Sequence, residues 1–314
     1  MLVDVSSKNR LFPINIVLFL HLQIKFTMSV HGTLIPIGGN ENKGIATKEI
    51  YNTEKIEDSI LARIVSESGG RDAMIVIIPT ASSIPDLVVQ NYLDAFAELY
   101  CSNVKVANIK QREDSEKPEF IALVEQADCI LFGGGNQSEI TQKIGGTRFH
   151  DILKNRYEND GLVIAGTSAG AMCMSREMIT GGKSKEAFLK GAVGLSKGMS
   201  FIPNLIIDSH FIRRGRFGRL AEAVAHFPQL IGVGLAENTG LVIKNSNVIE
   251  VIGSGMVIVF DPSSLSHNTE SLVKKKEPMS ITNLKTHILS RRDAFNIKEH
   301  QVEILHVEKP KINV

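Results

Sequence analysis

Gly166-Thr167-Ser168-Ala169-Gly170 is a G-x-S-x-G element. It follows the apolar run 162–165 and precedes Ala171-Met172-Cys173-Met174, residues suited to a helix. A serine between strand and helix is the setting of a nucleophile elbow. The sharp turn strains the serine backbone, and the flanking glycines let the chain approach closely. The hydroxyl then stands above the sheet edge, near the positive end of the new helix. The N–H of Ala169 can point at a developing oxyanion. By themselves, the same five residues also describe a Gly-rich turn that only packs or receives phosphate.

A serine nucleophile needs a base, and the base needs an orienting acid. His210, in Asp208-Ser209-His210-Phe211, directly follows the apolar run 205–207. Functional groups of α/β sheets gather beyond the carboxyl ends of strands, which places His210 where Ser168 could meet it. Glu237 follows the run 231–235 in the same way and is the candidate acid; a loop carboxylate or a helix cap is the alternative. The order is Ser, His, Glu, whereas α/β-hydrolases place the acid before the histidine.

Gly133-Gly134-Gly135-Asn136-Gln137 closes another apolar run, 129–132. The amides of Gly134 and Gly135 are expected to join Ala169 as oxyanion donors, with the Gln137 side chain facing the elbow. No Gly-Lys-Ser/Thr follows, so a Walker loop is excluded. Arg213, Arg214, Arg216 and Arg219 crowd the segment just after His210. Guanidinium forks match carboxylates, so this crowding points to a substrate with several carboxylates. A solvated basic helix start or a nucleic-acid patch would look the same. The predicted chemistry is acyl transfer without a cofactor. No His spacing of the H-E-x-x-H kind appears, so no metal is implied.

The elements that must position these groups are legible as apolar runs. Thr33–Ile37, 73–78, 104–109, 129–132, 162–165, 205–207 and 231–235 read as strands. Runs without polar alternation are typical of strands covered on both faces. Residues 87–99 and 120–126 carry helical spacing. After Thr239 the pattern becomes short strands with turns at 244–247 and 253–255, and residues 262–286 read as a polar excursion. The predicted fold is α/β, a mostly parallel doubly wound sheet with an antiparallel β extension.

With 35 Lys and Arg against 34 Asp and Glu, the net charge of +1 argues against a surface that grips nucleic acid. The absence of Trp and the 6% of aromatic residues argue against base stacking. Hydrophobic residues at 43% supply a substantial core. Three cysteines without a C-x-x-C pair exclude disulfide scaffolds and zinc ribbons. Residues 11–26 are apolar but broken by Pro13, Asn15, His21, Gln23 and Lys25. That falls short of the roughly 18–20 clean residues of a spanning helix. Lys8 and Arg10 resemble the start of a signal peptide, yet no A-x-A-like site follows. Residues 1–27 are therefore expected outside the fold, with a single domain over 28–314 and a cytoplasmic location. A signal or anchor segment is the alternative.

The segments GTSAGA at 166–171, FGGGNQ at 132–137, DSHFIRRGRFGRL at 208–220 and GVGLAENTGL at 232–241 together resemble the cyanophycinase family. That family comprises serine exopeptidases related to aspartyl dipeptidase, with a class I glutamine amidotransferase-like fold. The resemblance covers roughly residues 33–301. It implies release of β-Asp-Arg dipeptides from cyanophycin, a poly-aspartate carrying arginine on its β-carboxyls. It also implies Ser168 as nucleophile, His210 as base, Glu237 as its partner and homodimers. Gln137, Asp208, Arg214, Arg216 and Arg219 match the family's substrate-pocket positions. Ser209 stands where the family pattern has Gln, and a hydroxyl is shorter and offers fewer donors than an amide. A β-aspartyl or α-aspartyl dipeptidase therefore stays open beside the polymer reading. A glutamine amidotransferase would need Cys at position 168. A non-enzymatic polyanion binder would leave the Ser–His–Glu set unexplained.

Overall fold

In a computed structural model, residues 30–44, 54–183 and 186–304 are described. Residues 1–27 lie outside the described residues. The first half alternates strand and helix: β1 (Thr33–Ile37), α1 (Ile60–Glu67), β2 (Ile75–Ile78), α2 (Pro85–Glu98), β3 (Val104–Val106), α3 (Pro118–Gln126), β4 (Cys129–Phe132), α4 (Gln137–Ile144), α5 (Arg148–Asn159), β5 (Val163–Thr167) and α6 (Ala169–Met172). A hairpin follows, β6 (Glu177–Gly181) and β7 (Gly194–Lys197), then β8 (Leu205–Asp208), α7 (Phe217–His226) and β9 (Ile231–Leu235). The remainder is β10 (Thr239–Lys244), β11 (Val248–Gly253), β12 (Val257–Asp261), β13 (His267–Asn268), β14 (Ile281–Thr282), β15 (Lys285–Leu289), β16 (Ala294–Asn296) and β17 (Gln301–Glu303).

Nine strands form the central sheet, in the order β17-β16-β11-β10-β1-β5-β4-β2-β3. The β1, β5, β4, β2, β3 part is parallel, and β10, β11, β16 and β17 extend it antiparallel beyond β1. Period-2 alternation sorts the apolar runs onto two faces. Leu34, Val76, Ile130 and Ile164 meet Ile121 of α3 and Phe149 and Leu153 of α5. Ile35, Ile75, Leu131 and Val163 meet Ile60 and Ile64 of α1 and Tyr92 and Phe96 of α2. Each such side chain removed from water stabilises by about 1.5–3 kcal/mol.

Runs 205–207 and 231–235, which the sequence presents as further members of one series, lie in a second sheet, ordered β15-β12-β9-β8. Its Ile207, Val233 and Val259 pack on the same face of the central sheet as α3 and α5. Its Ile206, Ile258 and Phe260 are covered by Leu220 and Val224 of α7. The strands on which His210 and Glu237 depend therefore belong to a different layer from the strand that presents Ser168. Side chains start helices α1 and α5: Ser59 and Thr147 accept the amides of Ala62 and His150.

Helix α6 lies unusually close to the sheet. A Cβ at Gly166 would sit 2.5 Å from the Gly170 carbonyl carbon, and one at Gly170 would sit 2.4 Å from the Phe132 carbonyl oxygen. Gly170→Ala is expected to cost about 1–3 kcal/mol through overpacking. Gly181→Ala, where nothing lies within 4 Å, serves as the control. Equal melting temperatures for the two variants would contradict a tight α6–β4 contact.

Candidate active site

Ser168 joins β5 to α6 with φ 52° and ψ −104°. A non-glycine residue held there stores roughly 1–3 kcal/mol of strain, which its surroundings must over-determine. They do so from both sides. Its N–H donates to Ile37 O at 2.8 Å, and its carbonyl accepts the N–H of Ala171 and of Met172, each at 3.1 Å. Gly134 faces the serine so closely that a Cβ there would lie 3.6 Å from Ser168 Cβ.

His210 and Glu237 follow β8 and β9 of the second sheet. His210 Nδ1 meets Glu237 Oε1 at 3.0 Å, and the carboxylate is 1% exposed. His210 has φ 48°, and Asn238, beside the acid, has φ 44°. The turn after β1 holds all three segments. Ile37 O accepts from Ser168, Gly38 O accepts from His210 N at 2.9 Å, and Gly39 O accepts from Asn238 N at 2.9 Å. Both glycines are required by close approach. A Cβ at Gly38 would meet Ala236 O at 1.9 Å, and one at Gly39, where φ is +110°, would meet His210 Nε2 at 2.6 Å.

Burial lowers the His210 pKa; the hydrogen bond to Glu237 raises it, and the charge of Arg214 lowers it. The net shift is downward. The imidazole is thus held neutral to lower pH than usual, as a proton acceptor requires.

A pocket of about 320 Å³ opens over these groups. Ser168, His210, Gly134, Gly135, Arg214 and Lys43 are among the residues that line it. Its volume falls at the small end of the roughly 300–1,000 Å³ typical of small-ligand sites. Glu41, Lys43 and Tyr92 in its wall belong to none of the motifs that the sequence displays. Glu41 is 3% exposed; it accepts Thr167 Oγ1–H at 2.6 Å, Lys43 Nζ–H at 2.7 Å and the Tyr92 hydroxyl. Burial alone would raise its pKa, but the Lys43 charge and these three hydrogen bonds outweigh burial and hold it at about 2. The strand-end rule that finds His210 and Glu237, applied to β1, would have reached it.

Two members of the Arg cluster have a partner within the protein. Asp208 is fully buried and binds Arg216 Nη1 at 3.0 Å and Arg219 Nε at 2.6 Å. Arg219 is itself 5% exposed. Asp208 holds both guanidinium groups beneath the loop that carries His210, and Arg214 is the member of the cluster that lines the pocket. Gln137 is likewise engaged, its Nε2 donating to Ile179 O of β6 at 2.7 Å. Ser209 is buried; its hydroxyl donates to Met172 Sδ at 3.3 Å and lies 3.5 Å from Ser168 Oγ. Ala169 is buried as the first residue of α6. Cys173 is buried too; its thiol, pushed upward by burial, donates to Gly170 O at 3.2 Å.

A strained serine at a strand–helix junction, sharing a pocket with a histidine braced by a carboxylate, is the arrangement of an α/β serine hydrolase. Comparison with known proteins supplies the particular family. The model of peptidase family S51 matches residues 46–251. The cyanophycinase of Trichormus variabilis is 33% identical over 281 residues, 90% of this chain and 91% of that protein. The cyanophycinase of Geminocystis herdmanii is 33% identical over 272 residues, 87% and 96% of the two chains. The crystal structure of a peptidase from an acI-B1 Actinobacterium shares the fold, with a TM-score of 0.62, 20% identity and coverage of 86% and 98%. The chain belongs to peptidase family S51 and is a serine-type peptidase. Among the described residues, no helix is long and apolar enough to cross a membrane.

The buried ion cluster makes its own prediction. Asp208→Ala leaves the buried Arg219 and the half-buried Arg216 without this counter-charge, which typically costs roughly 3–5 kcal/mol. Urea denaturation measures this, and a loss below about 1 kcal/mol would show that the cluster does not support the His210 loop.

Proposed function

We propose that this peptidase is a metal-independent serine exopeptidase that removes β-Asp-Arg dipeptides from cyanophycin through an acyl-enzyme on Ser168. The observation that carries the reading is Ser168, held at a strained φ of 52° in one pocket with a His210 that is bound to Glu237. With Nδ1–H committed to Glu237, His210 Nε2 accepts the Ser168 proton as Oγ attacks the scissile carbonyl. Gly134, Gly135 and Ala169 offer backbone N–H groups to the oxyanion. The imidazolium returns its proton to the leaving amide nitrogen, and the C–N bond breaks. Water, deprotonated by His210, then cleaves the ester and restores Ser168.

Arg214 brings a cation to the pocket, which suits a carboxylate of an aspartyl substrate. Asp208, Arg216 and Arg219 act one step back by holding the His210 loop. The relatives named cyanophycinase, matched over most of both chains, support the polymer as substrate. One observation favours a second reading, an aspartyl dipeptidase. Position 209 presents a buried hydroxyl turned to Met172, so it offers a polymer little to hold.

Incubation with purified cyanophycin, and separately with α- and β-aspartyl dipeptides, discriminates by mass spectrometry. β-Asp-Arg released from polymer supports the first reading; cleavage of dipeptides alone supports the second. Ser168→Ala is expected to abolish either activity with the melting temperature retained, and wild-type turnover in that variant would falsify the serine mechanism.

The pH profile follows from His210. Catalysis needs the neutral ring, so kcat/KM rises as His210 loses its proton, with a midpoint below the ordinary imidazole value of 6.5. Glu237→Gln removes a group that raises the pKa, so the residual activity should show its midpoint at still lower pH. A midpoint that moves upward would remove Glu237 as the orienting acid.

A further inference from the structure

The carboxylate of Glu41 is far from the Ser–His–Glu set in sequence, yet it contacts the elbow directly. Thr167 is the last residue of β5 and immediately precedes Ser168. Its hydroxyl donates to Glu41 Oε2 at 2.6 Å, deep in the pocket wall. The other oxygen, Oε1, takes the Tyr92 hydroxyl from α2 and Lys43 Nζ at 2.7 Å. Glu41 also stands two residues after Gly39, whose backbone lies against the His210 ring.

We infer that Glu41 is a positioning residue for the nucleophile: through Thr167 Oγ1 it locks the end of β5 so that Ser168 cannot relax from its strained conformation. A strained residue persists only when its neighbours over-determine it. The backbone bond from Ser168 N to Ile37 O fixes one side of the elbow. The bond from Thr167 Oγ1 to Glu41 adds a side-chain restraint on the same entering strand and ties it to the turn that carries Gly39. An uncompensated carboxylate beside a developing oxyanion would oppose catalysis. Lys43, 2.7 Å from Oε1 and 4.8 Å from the centre of the Tyr92 ring, neutralises the charge where it sits.

A purely packing role predicts the opposite ranking of variants at position 167. Val conserves shape and loses the hydroxyl; Ser keeps the hydroxyl and loses the methyl. Reactivity of the serine is read from the rate of labelling by a fluorophosphonate, which needs no knowledge of the natural substrate. Thr167→Val and Glu41→Gln are expected to label about tenfold or more slowly than wild type, and Thr167→Ser within about twofold. On a cleaved peptide, the same variants should lose kcat with little change in KM.

Thermal melts accompany each variant, so a loss of fold is visible. Thr167→Ser slower than Thr167→Val, or wild-type labelling by both Thr167→Val and Glu41→Gln, would overturn the positioning role. That role rests on Ser168 as nucleophile. Wild-type protein that resists labelling would sink the nucleophile and the positioning role together. Failure to cleave cyanophycin, with labelling intact, would touch only the substrate assignment.

Discussion

Three consecutive carbonyl groups, those of residues 37, 38 and 39, hold the amides of Ser168, His210 and Asn238. Everything else about the site depends on this turn. The first bond continues the β1–β5 ladder within the central sheet. The other two reach across to loops of the second sheet, so the distance between Ser168 and His210 is set where two layers meet. A buried amide hydrogen bond contributes only about 0.5–1.5 kcal/mol net to stability. Its effect on reactivity is larger, because misplacing a reacting group by about 1 Å can cost about 10²-fold in rate. The absence of a Cβ at Gly38 and at Gly39 is what lets the two layers approach this closely.

Buried charge supports the same junction twice. Asp208 holds Arg216 and Arg219 together under the His210 loop, one carboxylate against two guanidinium groups, and Glu41 and Lys43 neutralise each other beside the elbow. Such clusters are weak contributors to net stability, because desolvation offsets most of the attraction. They are nevertheless directional. An arginine fork fits one carboxylate geometry, and a displaced loop would leave charges unpaired in a dry interior. A second arrangement of the loop is thereby made expensive.

Much of this is legible in the sequence, for a physical reason. Strands buried on both faces must be continuously apolar, so the runs 73–78, 129–132 and 162–165 announce the central sheet. The elbow is readable because an apolar run, a serine flanked by glycines and then small residues together describe a sharp strand-to-helix turn. His210 and Glu237 follow from their place after strands. What fails to show is which sheet a strand joins. Ile231–Leu235 is equally apolar whether it lies in the first layer or the second. The Arg cluster is ambiguous for a similar reason. A guanidinium is satisfied by a substrate carboxylate or by Asp208, and the spacing of Arg216 and Arg219 is compatible with both. Glu41 is hidden because a carboxylate in a polar turn looks solvated until Tyr92 and Thr167 close over it.

The long reach of the turn after β1 also governs when the site can be assembled. Gly39 and Asn238 are 199 residues apart, and β9 is paired on its far side by β12, whose last residue is Asp261. A chain emerging from the ribosome therefore has its elbow sequence complete long before it can bring His210 and Glu237 to it. Contacts of such separation close late. The junction is therefore assembled from segments spread over most of the chain and can close only after β12 has been synthesised.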